Sequence, residues 1–383
     1  MIPYGKQDIS ATDIEAVIDV LKSDFLTQGP AVPNFEKALK EEVAANYCFA
    51  VNSATSALHI ACLALGLGAE DWLWTSPNTF VASANCGLYC GASVDFVDID
   101  PSTYNMCPIA LEQKLVSAKI AGKLPKIVIP VHFAGTPCEM EKIHLLSKEY
   151  GFRIIEDASH AIGASFRSSK IGENKYSDIT VFSFHPVKII TTGEGGALTT
   201  QDPELATQIA LYRSHGITRD PQLMSKPTPP PWYYEQIKLG LNYRMTDIQA
   251  ALGANQIKRL HSFIAQRHEK AWRYNELLQG QELVLPTIEI DGRSSLHLYV
   301  VQLPETICRL SVFEKMREAG IGVNVHYIPV HLQPFYKALG YGEGDFPIAE
   351  SYYSRALTLP LHPNLANAEQ DYIVEKLSQF IKR

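Results

Sequence analysis

Val181-Phe182-Ser183-Phe184-His185-Pro186-Val187-Lys188-Ile189-Ile190-Thr191-Thr192-Gly193-Glu194-Gly195-Gly196-Ala197 is the stretch on which the fold turns. Val181, Phe182 and Phe184 form an apolar run that reads as a buried strand, and Pro186 ends it. Gly195-Gly196 open a second run from Ala197 to Thr200. Between the two lies one lysine, Lys188, flanked by Val187, Ile189 and Ile190. Most lysines keep a strongly hydrated ammonium in water. Apolar neighbours on both sides argue for partial desolvation here, which favours the neutral amine, the form that condenses with an aldehyde.

Such an amine needs a partner, and Ile154-Ile155-Glu156-Asp157-Ala158-Ser159-His160 supplies a candidate. Two β-branched residues run into two acids, as at the carboxyl end of a buried parallel strand, where ligand sites of α/β sheets lie. Pyridoxal phosphate needs a lysine for its Schiff base and a carboxylate against its pyridine nitrogen. Lys188 and Asp157 fit those two roles, although Asp157 taken alone also fits a strand-end cap.

With these pieces in place the chain resembles the DegT/DnrJ/EryC1/StrS sugar aminotransferases, fold-type I enzymes dependent on pyridoxal 5′-phosphate. The resemblance spans nearly the whole chain. It rests on Thr27-Gln28-Gly29, Asn52-Ser53-Ala54-Thr55, Glu156-Asp157, Ser183-Phe184 with Lys188, Gly193-Glu194-Gly195-Gly196, Gly240-Leu241-Asn242-Tyr243-Arg244-Met245 and His326-Tyr327, in that order. Met1-Ile2-Pro3-Tyr4-Gly5-Lys6-Gln7, Leu26-Thr27-Gln28-Gly29-Pro30 and His185-Pro186-Val187-Lys188 look like the pseudaminic-acid pathway branch. That branch aminates UDP-4-keto-6-deoxy-N-acetyl-β-L-altrosamine at C4.

The resemblance implies roles. Lys188 would carry the cofactor and move protons, and Asp157 would hold the ring nitrogen protonated. Ala54, Thr55 and Ser183 would surround the phosphate, Phe80 would lie against the ring, and His160 would stand where many relatives have a glutamine facing the ring hydroxyl. Asn242 would reach the phosphate of a second subunit across a homodimer. Tyr4, Asp24, Phe25, Leu26, Thr27, Asn324, Val325, His326 and Tyr327 would border the UDP-sugar. L-glutamate would be the amino donor. No metal is implied. Other 4-keto nucleotide sugars, of dTDP-hexose or UDP-arabinose type, would need only different substrate loops. A pyridoxamine-dependent dehydratase would replace the lysine or add iron–sulfur cysteines, and a non-catalytic sugar-responsive regulator would not need Lys188 and Asp157 together.

Composition agrees with a large enzyme. The 383 residues are 46% hydrophobic, enough for one large and one small domain, with 34 basic against 41 acidic residues. No block of like charge suggests a nucleic-acid arm. The seven cysteines are odd in number and contain no Cys-x-x-Cys, so neither a disulfide framework nor a zinc site is indicated. No basic-then-apolar leader and no apolar run of about 18–20 residues is present, so neither export nor a membrane span is expected, and the cytoplasm is the default.

Along the chain, Ser10 or Thr12 can cap a helix carrying Ile14, Val17, Ile18 and Leu21 on one face. Phe49-Ala50-Val51 reads as a strand, Asn52-Ser53-Ala54-Thr55-Ser56 as the approach to a helix from about Ala57, and that helix start as an ordinary cap or an anion site. Phe80 is also a candidate core residue. Asp95, Asp98 and Asp100 are read as one solvated strand face rather than a metal cluster. Alternating strands and helices from 45 to 200 predict a mostly parallel sheet with helices on both faces. Thr246 is expected to start a long helical stretch to about Leu278, with the domains dividing at 1–280 and 281–383, the second a small α+β unit. Residues 226–232, rich in proline, read as a semi-rigid surface loop, with a docking motif as the alternative.

Overall fold

The structure, a computed structural model, describes residues 1–226, 230–288 and 291–382. Positions 227–229 of the proline-rich loop lie outside the described residues.

Seven strands form the main sheet: β1 (Tyr47–Val51), β2 (Trp72–Thr75), β3 (Ser93–Phe96), β4 (Ile127–Ile129), β5 (Arg153–Asp157), β6 (Ile179–Ser183) and β7 (Gly196–Thr200). Their spatial order is β1-β7-β6-β5-β4-β2-β3. All pairs from β3 to β6 are parallel, and β7 runs against both β6 and β1. The expected mostly parallel sheet is therefore present.

Strand side chains alternate between faces, and the cores follow that rule. Ala50, Val128, Ile154, Phe182 and Ala197 pack into one hydrophobic cluster, while their neighbours Val51, Ile129, Ile155, Val181 and Leu198 pack into another. The first is covered by α2 (Ala31–Val43), α5 (Pro108–Ala121) and α6 (Met140–Tyr150), and the second by α3 (Ala54–Ala64), α4 (Ala82–Tyr89) and α7 (Pro203–Arg213). Being buried on both sides is why the central strand β4, Ile127-Val128-Ile129, is an unbroken apolar run and its neighbours are largely apolar.

Ser10 caps α1 (Ala11–Lys22) through a capping box with Asp13. Its apolar stripe does not enter the core: Ile14, Ile18 and Leu21 are exposed, and Asp13 is the buried anchor. That carboxylate accepts from Asn255, Gln256 and Arg259, which holds α1 against α8 (Asp247–Gln256). The helical stretch expected from Thr246 to about Leu278 is present, in three pieces. A Thr246–Gln249 capping box starts α8, a 3₁₀ turn occupies Ile257–Arg259, and α9 (Leu260–Leu277) follows.

A third core gathers around the antiparallel pair β8 (Tyr299–Gln302) and β9 (Ala356–Leu359), with α10 (Arg309–Glu318), α11 (Pro347–Arg355) nearby and α12 (Asn367–Ile381). Helix α9 serves two cores: Leu260, Phe263 and Ile264 join the first, and Ala271 and Tyr274, with Leu278 just past its end, join the third. The chain start is stitched to this region by Ile2 N–H donating to Gly320 O and Gly322 N–H to Ile2 O. Leu361 N–H then donates to Tyr4 O.

The three aspartates do not share a face. Asp95 pairs with Lys114 at 2.7 Å. Asp98 accepts from the N–H groups of Ile348 and Ala349 at the start of α11, both at 3.0 Å. Asp100 closes its own turn through Ser102 and Thr103. Strand β3 ends at Phe96, so period-2 spacing does not extend through them. Among the described residues no group of histidines, cysteines and acids is arranged to hold a metal.

Candidate active site

A cavity of about 410 Å³ opens where the parallel strands end. Its walls come from the segments that leave β1, β2, β4, β5 and β6, and from Glu194-Gly195 entering β7. Strand ends are where α/β sheets place ligands, because the connecting loops there splay to opposite faces.

Lys188 sits on the excursion between β6 and β7. The ends of that excursion are closed by Phe184 N–H donating to Gly195 O at 2.9 Å and Thr192 N–H to Phe184 O at 3.0 Å. Phe184, Ile189 and Ile190 are buried and pin the loop, leaving Lys188 at the cavity wall. Desolvation lowers the Lys188 ammonium from 10.5 to about 8, with the Asp157 carboxylate acting in the opposite direction. Gly193 stands at φ 82°, a left-handed turn that glycine adopts without a Cβ penalty.

Asp157 is the last residue of β5, and its side chain is buried against the cavity. Ser83 Oγ donates to Oδ2 at 2.7 Å and Ser159 N–H to Oδ1 at 3.1 Å. The neighbouring Glu156 points to the other side of the strand, as alternation requires. There it meets His132 Nε2 at 2.7 Å and the hydroxyls of Ser177 and Thr180. Only the second acid of the pair thus reaches the cavity.

The helix after β1 starts at Ala54, three residues earlier than its expected start near Ala57. Ser53 is its N-cap, accepting from Ser56 N–H at 3.1 Å. Ala54 and Thr55 therefore fall in the first turn, whose N–H groups lack intrahelical acceptors and which carries the positive end of the helix. Gly196 makes this possible: a Cβ there would sit 2.6 Å from Ala54 N and Ser53 C. Ser183, at the end of β6, lines the same wall.

Three histidines border the lysine. His160 is buried, with Nε2 3.1 Å from the Tyr327 hydroxyl and Nδ1 without a partner. Burial first, then the positive charge of Lys188, push its pKa well below 6.5. His297 packs against it at 4.4 Å between ring centres and is pushed down for the same first reason, then by His160 and Lys188. Burial, then Lys188, lower His326 to about 3, and its Nδ1 lies 2.9 Å from the Thr358 hydroxyl. These rings are neutral at physiological pH. Tyr4 lies beside His326, their ring centres 5.4 Å apart and their planes tilted by 54°.

The cavity thus unites Tyr4, Ala54, Thr55, Phe80, Asp157, His160, Ser183, Lys188, His326 and Tyr327. Phe80 is not core: it is 59% exposed at the cavity wall, with its ring 6.5 Å from that of Tyr327. Asp24, Phe25, Leu26 and Thr27 are exposed and lie off the cavity wall, as do Asn324 and Val325. Asn242 is exposed and outside it. Sequence reading passed over Thr79, Ser83, Ser159 and His297, which line the cavity. Ser83 follows Phe80 by three residues, one helical turn, and that spacing was the available signal.

The DegT/DnrJ/EryC1/StrS aminotransferase family model matches residues 7–378. The spore coat polysaccharide biosynthesis protein SpsC of Bacillus subtilis is 39% identical over 389 residues, covering 100% of this chain and 97% of its own. A UDP-4-amino-4,6-dideoxy-N-acetyl-beta-L-altrosamine transaminase of Campylobacter jejuni is 38% identical, covering 100% of this chain and 98% of its own. Among solved structures, Helicobacter pylori PseC, an aminotransferase of pseudaminic acid biosynthesis, superposes with a TM-score of 0.90 at 30% identity, covering 99% of each chain.

Proposed function

Because the chain belongs to the DegT/DnrJ/EryC1/StrS aminotransferase family, a fold-type I family that uses pyridoxal 5′-phosphate, we propose that it aminates a 4-keto-6-deoxy nucleotide sugar. We assign UDP-4-keto-6-deoxy-N-acetyl-β-L-altrosamine as the acceptor and L-glutamate as the donor. The observation that carries the site assignment is the pairing, in one cavity, of Lys188 with its lowered pKa and the tethered carboxylate of Asp157.

The residues present fit the cofactor. The first turn of α3 has free N–H groups, the hydroxyls of Thr55 and Ser183 are adjacent, and His160 Nδ1 is a buried nitrogen without a partner. When bound, the cofactor supplies an aldehyde that takes an amine and a ring that accepts electrons from the deprotonated carbon. Lys188 Nζ, near its pKa at neutral pH, gives up and takes back a proton in each half of the exchange, work that typically contributes ~10²–10⁴-fold. Asp157, held in one orientation by two donors, presents negative charge to the ring nitrogen. Ala54, Thr55 and Ser183 receive the phosphate, and Tyr4, His326 and Tyr327 face the sugar. The neutral imidazoles add no positive charge beside Lys188 to depress its pKa further.

A homodimer belongs to the same proposal, with Asn242 entering the partner's site. Phe25, Leu26, Tyr89 and Leu239 leave large apolar surfaces in solvent, as an unformed interface would. The division at residue 280 and a cytoplasmic location are also proposed. All seven cysteines are free, as suits a reducing compartment, and among the described residues no helix is long and apolar enough to cross a membrane.

The test is borohydride reduction of the cofactor-loaded protein followed by peptide mapping, then turnover of a panel of 4-keto nucleotide sugars with glutamate. Label on Lys188 and preference for the altrosamine-type sugar are expected. Label elsewhere would remove the site assignment. A preference for another sugar would keep the chemistry and reject the acceptor, a needed arm because identity to SpsC and to the altrosamine enzyme differs by a single percentage point.

A further inference from the structure

Asp157 is reached by a hydroxyl chain of which only the last bond, Ser83 to Asp157, has entered the account so far. Thr79 Oγ1 and Ser83 Oγ are 2.8 Å apart, and Ser83 Oγ is 2.7 Å from Asp157 Oδ2. All three side chains are buried, and all three line the cavity. A carboxylate only accepts, and a serine has one proton. Ser83 therefore spends its proton on Asp157, and Thr79 must donate to Ser83. The chain has one direction, from Thr79 through Ser83 to Oδ2, with Ser159 N–H holding Oδ1 from the other side.

We propose that Ser83, polarised by Thr79, is a positioning residue for the amino-transfer reaction, fixing the Asp157 carboxylate toward the cofactor's ring nitrogen. The inference rests on the assignment of Asp157 above. A hydrogen bond to a charged group in a dry site is worth more than a neutral one, and donors in series reinforce each other. Without Ser83, Asp157 keeps a single donor, Ser159, and its carboxylate is free to turn. The two hydroxyls stand on the turn that also carries Phe80, since Ser83 N–H donates to Phe80 O. One short segment, residues 79–83, thus serves the carboxylate and forms part of the cavity wall.

The experiment uses the holoenzyme with pyridoxal 5′-phosphate and L-glutamate, and reads the glutamate half-reaction rate, the cofactor dissociation constant and the pH titration of cofactor absorbance. Ser83→Ala should slow the half-reaction about tenfold, the scale of one hydrogen bond to a charged group. Its absorbance midpoint should move upward, because a less firmly protonated ring withdraws fewer electrons from the nitrogen of Lys188. Thr79→Val, nearly the same shape, should do the same to a smaller extent, and Thr79→Ser should stay at wild-type values. The double variant Thr79→Val/Ser83→Ala should match Ser83→Ala alone, since Thr79 acts through Ser83.

A Ser83→Ala enzyme with unchanged rate and titration would overturn the proposal, and so would independent, multiplying effects of the two substitutions. A melting temperature far below wild type in Ser83→Ala would move the decision to Thr79→Val, whose titration must then shift. If borohydride fails to label Lys188 in the wild type, the functional assignment falls and the relay with it. Labelled, active wild type beside a silent Ser83→Ala rejects the relay alone.

Discussion

Replacing Lys188 with methionine tests the desolvated amine without any cofactor. Methionine has a similar length and no charge, so the substitution removes an ammonium that the fold holds in a poorly hydrated place. The lowering from 10.5 to about 8 corresponds to about 3 kcal/mol of penalty at 1.36 kcal/mol per unit. The side chain keeps part of its surface toward the open cavity, and solvent screening there reduces the figure to about 1–2 kcal/mol. The cofactor-free variant should therefore be more stable than the cofactor-free wild type at pH 7, by roughly 1–3 °C in melting temperature. The pH dependence has a definite sign. Below about pH 8 the amine is protonated in both folded and unfolded chains, and the folded state bears the whole penalty. From about 8 to 10.5 the unfolded chain binds more protons, so wild-type stability rises relative to the variant. Above that window the difference vanishes. Matched thermal melts of the two proteins at equal concentration, from pH 7 to 10.5, provide the measurement. A variant no more stable at pH 7, with a difference that stays flat across the window, would refute the claim that Lys188 is held against its solvation.

Other substitutions probe other parts of the site. Asp157→Asn should retain bound cofactor yet lose ~10²–10³-fold in kcat, the scale of removing one preorganised electrostatic group; steady-state rates with cofactor occupancy measured in parallel decide it. Gly196→Ala places a Cβ 2.6 Å from the Ala54 nitrogen. It should destabilise by about 1–3 kcal/mol and weaken pyridoxal phosphate binding, read by denaturant unfolding and fluorescence titration. Asp98→Ala strips two N–H partners from the start of α11. It should lower stability by about 1 kcal/mol while leaving the cofactor's affinity unchanged, which would separate this aspartate from any ligand role.

The order of strands and helices, and the candidacy of Lys188 and of Asp157, could be read along the chain because both rest on local pattern. A strand buried on both faces must be largely apolar, and a lysine between Val187 and Ile189 is a visible conflict. The family resemblance added the residues that would surround the cofactor and the sugar. What could not be read was which side chains of distant segments would meet. Asp95, Asp98 and Asp100 look alike in sequence, but the end of β3 sends each to a different partner: Lys114, the start of α11, and its own turn. The stripe of α1 promises burial, yet packing is decided by Asp13 and its contacts with Arg259 and Gln256, some 240 residues away. Ser83 carries no local mark of its importance either. It touches Asp157 because β2 and β5 flank β4 in one sheet, so that the loop after one strand closes on the tip of the other. Hydrophobic period and turn chemistry are properties of neighbours along the chain, and they determined the elements. Hydrogen-bond partners are properties of neighbours in space, and only the assembled sheet selected them.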